Sequence, residues 1–287
     1  MYDNKLTPVG KLRLPGINIR TRMLILIFIS AIYLFGILIW GFYMEESLYE
    51  VSYTHKFIPP GLEHPFGTDF MGRDMFYRSI KGLSTSLVIG VLASAVSSIL
   101  ALLLGIAATT IGGKFDQFVN WCVDCCMGLP HLVLLVLISF MLDRGVKGVA
   151  IAVALTHWPE LTRIVRAEVL QIRSSQYVQL SYKAGKSKFW VAKEHMVPHV
   201  LPTYLIGLVL LFPHAIMHEA ALTFLGFGLP AESPAIGAIL SEAMVHIATG
   251  KWWLALFPGL LLLIAVILFD VIGENLKNLL NPNSGNE

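Results

Sequence analysis

The stretch 23–43 runs 21 residues without one charged side chain. As a helix it is roughly 31 Å long, enough to cross the hydrocarbon of a bilayer. A cleavable signal peptide also begins basic and turns apolar, but its core is shorter and closes on small residues. Here Glu45 and Glu46 follow, and Trp40 and Tyr43 suit an aromatic belt at the membrane interface. Further apolar stretches at 84–108, 115–142, 148–163, 202–222 and 252–272 bring the expected crossings to six. With 55% hydrophobic and 14% charged residues in 287, the chain is too apolar for an ordinary soluble domain, and lipid must solvate it. The fold class expected is all-α: a polytopic membrane protein of six transmembrane helices.

The charges orient it. A polar segment, 1–22, carries Lys5, Lys11, Arg13, Arg20 and Arg22. If it is cytoplasmic, the inner segments hold 14 of the 21 Lys and Arg residues and the outer ones 7, as the positive-inside rule requires. The organisation expected is the inner segment 1–22, the anchor 23–43, an extracytoplasmic segment 44–83, a membrane core 84–273 with a cytoplasmic loop 166–201, and a cytoplasmic tail 274–287. The outer segment has Pro59, Pro60 and Pro65 early, so it should begin irregular and end as a helix lying at the interface. The inner loop is amphipathic, mixing Tyr177, Leu180, Phe189 and Trp190 with Arg173, Lys183, Lys186 and Lys188, and such a face wants a partner or a membrane surface. A net charge of +2 gives no reason to expect nucleic acid. Cys122, Cys125 and Cys126 crowd one apolar stretch without a distant partner, so they read as packing residues rather than disulfides or soft metal ligands.

The inner loop carries the residues that place the chain in a family. It reads Gln179-Leu180-Ser181, then Ala184-Gly185-Lys186, then Pro198, Leu201 and Pro202. This resembles the cytoplasmic coupling loop of ABC-importer permeases, in which Glu-Ala-Ala, three residues and Gly precede an apolar run closing on Leu-Pro. Gln179, Leu180 and Ser181 stand where Glu-Ala-Ala is expected. Glycine permits the turn, and the prolines should end the helix before the next span. Three more stretches are similar to the dipeptide, oligopeptide and nickel branch: Gly67-Thr68-Asp69 with Gly72-Arg73-Asp74 and Arg78; the run from Glu219 through Phe224-Leu225-Gly226; and Trp253 to Gly259 with Asn281-Pro282. Gly185-Lys186-Ser187 mimics the end of a P-loop, but Leu180 stands where its first glycine belongs and no strand precedes it.

Ionisable groups at membrane depth are costly and are candidates for the transport path. Asp124 either faces the path or pairs with an amide such as Asn120 one turn back. Glu219 either lines the exit or pairs with a neighbouring helix. His214 and His218, one turn apart, could share a metal transiently, or could hydrogen-bond within the bundle. With His157 they resemble histidines of nickel-importer permeases, and imidazole suits Ni²⁺. His218-Glu219 begins the zinc-protease pattern His-Glu-x-x-His, but Leu222 stands where the second histidine belongs.

The resemblance implies a permease subunit that binds no cofactor itself, with ATP and magnesium held by separate ATPase subunits. The implied partners are a second homologous permease, two cytoplasmic ATPases, an extracytoplasmic substrate-binding protein and the bilayer of the cell membrane, both termini being cytoplasmic. Nickel is the cargo placed first and di- or oligopeptide the alternative; a passive homo-oligomeric channel is the competitor from another class.

Overall fold

The computed structural model describes residues 18–230 and 232–280. Lys5, Lys11 and Arg13, and Asn281 with Pro282, lie outside the described residues. Among the described residues the fold is helical, and the only β pairing is the single bridge between Thr68 and Asp74.

The longest element is α2 (Met75–Ile111), about 55 Å of helix. The Asp74 carboxylate caps it, accepting hydrogen bonds from the backbone N–H of Phe76 at 2.8 Å and of Tyr77 at 3.4 Å. The separate interface helix expected before the second span does not form. With a cap at Asp74 and no proline after it, residues 75–83 become the first turns of the crossing helix itself.

Small residues on α2 let other helices approach to backbone distance. A Cβ on Gly90 would lie 2.4 Å from Ile216 Cγ1, and one on Gly105 would lie 2.6 Å from Val165 Cγ1. These contacts seat α8 (Val197–Phe224) and α5 (Gly145–Arg173) on two faces of α2. Two serine hydroxyls of α2 bond across to α8: Ser94 Oγ donates to the Leu211 carbonyl at 3.4 Å, and Ser98 Oγ meets Tyr204 Oη at 3.1 Å. On the remaining flank α1 (Ile19–Tyr43) packs against α2 and against α10 (Trp253–Leu280), while Phe28, Phe35 and Phe42 stay exposed on its far side. An apolar helix with an apolar outer face fits lipid, not water.

The stretch 115–142, expected as one span, is two helices, α3 (Gly113–Gly128) and α4 (His131–Met141), bent by 99°. Pro130 is the cause. Its ring pushes the preceding Leu129 into extended backbone, φ −96° and ψ 145°, which ends α3. Four helices are long and apolar enough to cross a membrane: α1, α2, the stretch Lys188–Phe224 and α10. The bent pair would make a fifth. The fourth expected span falls in α5, which is long enough, but its second half carries Glu160, Arg163, Arg166 and Glu168.

Nor do Pro198 and Pro202 end a helix before the fifth span. After α6 (Gln176–Lys183) and α7 (Lys188–Val191) the chain passes through one π turn, Ala192–Met196, straight into α8, which contains Pro202 and Pro213. Pro198 sits in the first turn of α8, where a missing N–H costs little, and the wide π turn ahead of it makes room for its ring. The short apolar helix α9 (Ile236–Ile247) falls between two spans in a stretch for which no element was expected.

The two ends of α2 carry different assemblies. At its start an ion-pair knot closes the segment that precedes α2 onto the bundle. Asp69 Oδ2 accepts from Arg73 Nε at 2.6 Å and Arg78 Nη1 at 3.1 Å, and Glu242 of α9 accepts from both arginines at 3.1 and 2.8 Å. Asp69 and Arg78 are only 2% and 3% exposed, so each needs the other. Gly72 completes the turn at φ +77°, where a Cβ would fall 1.8 Å from the Ser52 carbonyl oxygen. The knot accounts for the spacing of the Gly-Thr-Asp and Gly-Arg-Asp triplets. At the other end of α2, Arg173 Nη1 donates to the Thr109 carbonyl at 2.8 Å and binds the foot of α5 and the α6–α7 segment to it.

Gly105→Leu is expected to lower the apparent melting temperature of the detergent-extracted chain by several degrees, reflecting about 1–3 kcal/mol of overpacking against Val165. Gly36→Ala, in α1 with nothing within 4 Å of the new Cβ, should be neutral or stabilising. Fluorescence-detected size exclusion after a heating series checks both.

Candidate functional site

Four helices wall a cavity of about 460 Å³. Cys126 reaches it from α3, His131 from α4, His157 and Glu160 from α5, and His214 and His218 from α8. Two of these walls contain a proline, Pro159 in α5 and Pro213 in α8, each of which withdraws one backbone N–H from its helix ladder beside the cavity. The remaining lining is largely aliphatic, including Ile164 and Leu210.

The histidines do not group as their sequence spacing suggests. His218 meets His131 and His157, and one ligand nitrogen from each of the three lies within 4.8 Å of the others. His214, one turn before His218, lines the cavity but stands outside that trio. His157 Nε2 is 2.9 Å from His218 Nδ1. The His131 ring lies edge-on to His157 at 4.7 Å and tilted over His218 at 4.4 Å. His131 was not singled out in the sequence. It sits in the middle of an apolar run, and the rule that flagged Asp124, an ionisable group at membrane depth, would have flagged it too.

The other candidates lie elsewhere. Glu219 is 0% exposed and turned into the bundle, where Thr223 Oγ1 donates to its Oε1 at 2.9 Å; it does not line the cavity. Asp124 pairs with Arg163 of α5, not with Asn120. Asn120 instead donates to the carboxylate and carbonyl of Asp116, which holds Arg166 through two bonds of 2.7 and 2.8 Å. These two ion pairs stitch α3 to α5. Cys122 and Cys126 pack against the apolar core, and Cys125 is exposed.

The loop 166–201 forms a second candidate site. α6 ends in a turn whose backbone N–H groups at Gly185 and Lys186 bond back to the carbonyls of Tyr182 and Ser181, with Gly185 at φ +80°. His195 holds the knob together: it bonds Ser181 Oγ at 3.0 Å and lies edge-on to Tyr177 and Trp190. Val178, Val191 and Met196 are buried beneath, whereas Leu180 and Phe189 point outward, Phe189 at 78% exposure. Gln179 bonds the Arg173 carbonyl at 2.8 Å and so is spent on the helix end. Ala184 and Lys186 are exposed at the tip, the Lys186 ammonium lying 4.8 Å over the Trp190 ring.

Residues 97–283 match the family described as binding-protein-dependent transport system inner membrane component. The dipeptide transport system permease protein DppC of Bacillus subtilis (strain 168) is 30% identical over 273 residues, covering 95% of this chain and 82% of that protein. A putative peptide transport system permease protein of Brucella suis biovar 1 (strain 1330) is 36% identical over 231 residues, covering 80% and 77%. The oligopeptide transport system permease protein OppC of Bacillus subtilis is 32% identical over 224 residues, covering 78% and 73%.

A cavity with this many polar groups should hold water. With Cys122→Ser and Cys125→Ser, the remaining thiol at Cys126 is expected to react with a small charged methanethiosulfonate in the folded protein, as read by mass spectrometry. Reaction only after denaturation would mean that the cavity is closed to water.

Proposed function

Because the chain belongs to the family of binding-protein-dependent transport system inner membrane components, we propose that it forms half of the membrane path of an ATP-driven importer of small peptides. That it is a permease subunit of an ABC importer follows from its family; the cargo and the working parts are the inference. Its relatives are named for dipeptide and oligopeptide transport, and this favours the peptide alternative over nickel.

The observation that carries the reading is the outward-facing apolar knob around Gly185, at the opposite end of α2 from the ion-pair knot. Exposed Leu180 and Phe189 on a rigid turn are a docking surface in need of a groove, and a cytoplasmic ATPase subunit would supply it. In this arrangement α5 is the sixth crossing. Its second half runs from the cavity, where Glu160 follows His157, toward the knob, where Arg173 ends it. The ion-pair knot then faces the extracytoplasmic side, where a substrate-binding protein would deliver cargo, and both chain ends lie in the cytoplasm. A second homologous permease would complete the path. ATP and magnesium stay with two ATPase subunits, whose closure would rock the helices through the knob, giving alternating access by rigid-body motion.

Left-handed backbone costs a residue with a Cβ about 1–2 kcal/mol, so Gly185→Leu should depopulate the turn roughly tenfold. Dipeptide uptake into cells is expected to fall by about that factor while the chain still reaches the membrane and the ATPases still hydrolyse ATP. Uptake at the wild-type rate would remove the knob from the mechanism, and a homo-oligomer that conducts without ATP would replace the importer by a channel.

A further inference from the structure

We propose that His131, His157 and His218 form a binding site for one late first-row divalent metal ion inside the cavity. The site rests on the permease reading only for its place on the path, and it adds a metal, free or held in a small chelate, to what the path accepts.

The hydrogen bonds fix the chemistry of the central imidazole. The Val153 carbonyl, 2.8 Å from His157 Nδ1, can only accept, so Nδ1 carries the proton. Nε2 is then a bare lone pair directed at the other two rings. A backbone carbonyl that holds the far nitrogen of an imidazole is the support commonly found behind metal-bound histidines, where it fixes both tautomer and ring orientation. At present His157 Nε2 is satisfied by His218 Nδ1 at 2.9 Å. With His218 in its Nε2–H tautomer, its proton moved from Nδ1 to Nε2, a cation between His157 Nε2 and His218 Nδ1 would find a lone pair on each and both rings would stay neutral.

His131 supplies a second, independent observation. Its Nε2 is buried and has no hydrogen-bond partner, although it sits in a cluster of polar rings. A buried polar nitrogen without a partner is costly, and a metal ion would satisfy it. The spacing allows this. Two imidazole nitrogens bound to one ion at about 2.0–2.1 Å lie about 3.4 Å apart in tetrahedral geometry. The observed limit of 4.8 Å therefore closes with a shift of about 1 Å in His131 or His218, both only partly buried, while His157 stays fixed.

Three neutral imidazoles with no thiolate or carboxylate among them select by softness. They suit Ni²⁺, Cu²⁺, Zn²⁺ or Co²⁺ and not Mg²⁺ or Ca²⁺. Positions facing the cavity stay open to water or to the donor atoms of a chelating cargo. A site without an anionic ligand also binds reversibly, as a transport path requires.

The test uses the full-length chain in lipid nanodiscs, purified on a tag that contains no histidine. Co²⁺ titration should give one equivalent with the visible absorption of bound cobalt, displaced by Ni²⁺ and Zn²⁺ but not by Mg²⁺. His157→Gln and His131→Gln should each weaken binding at least about tenfold, and His214→Gln by less than about threefold. Since a variant can fail to fold, Zn²⁺ should also raise the melting temperature of the unaltered chain. Repeating the titration with Ni²⁺ preloaded on diglycine distinguishes a bare ion from a chelated one. No cobalt signal at about 100 μM, where a micromolar site would be saturated, or undiminished binding in both folded variants, would overturn the site. Dipeptide uptake is a separate readout, so either result leaves the permease reading intact.

Discussion

Close approach of helices to α2 sets the geometry of everything else. In lipid the hydrophobic effect does not drive helices together, and association depends on van der Waals fit between backbones. Gly90 and Gly105 allow Ile216 of α8 and Val165 of α5 to pack directly onto the backbone of α2. Because those two helices are fixed by the same rod, His157 on one and His218 on the other come within hydrogen-bonding distance. The elbow at Pro130 then turns α4 so that its first residue, His131, joins them.

Charge is handled by pairing. Asp69 and Arg78 are buried at the knot, where each neutralises the other and Glu242 takes up the second arginine contact. Removing one member would leave an uncompensated charge, an expensive defect of about 3–5 kcal/mol. The pairs Asp116–Arg166 and Asp124–Arg163 tie α3 to α5, the first half-buried and the second exposed. The three histidines are different, since no carboxylate closes their cluster and one nitrogen is left over.

Much of this was legible in the chain. Uncharged apolar runs marked α1, α2, α8 and α10 because helix length and bilayer thickness are tied by simple geometry. Gly185 was readable because a compact turn needs positive φ there, and the Gly-Thr-Asp and Gly-Arg-Asp triplets were visible as a unit, though their ion pairs with Glu242 were not. Long-range partners resist local reading. Helical spacing joined His214 to His218, whereas the trio unites three helices through tertiary packing, and Asp124 found Arg163 rather than the neighbour one turn away. Prolines misled in both directions: Pro130 broke a run that looked continuous, and Pro202 was absorbed by a helix expected to stop. Short α9 was missed because twelve residues interrupted by Ser241, Glu242 and His246 are too few and too mixed to announce a crossing.

The uninterrupted course of α2 has a mechanical consequence. From its capped start to Ile111 it contains no proline and no break, so it resists bending and must tilt as a single lever. Its foot is tied to the end of α5 by Arg173 and its head to the ion-pair knot by Arg78, and Ser94, near its middle, bonds the carbonyl of cavity-lining Leu211. Neither end of so long and unbroken a rod can shift without carrying the helices packed along it.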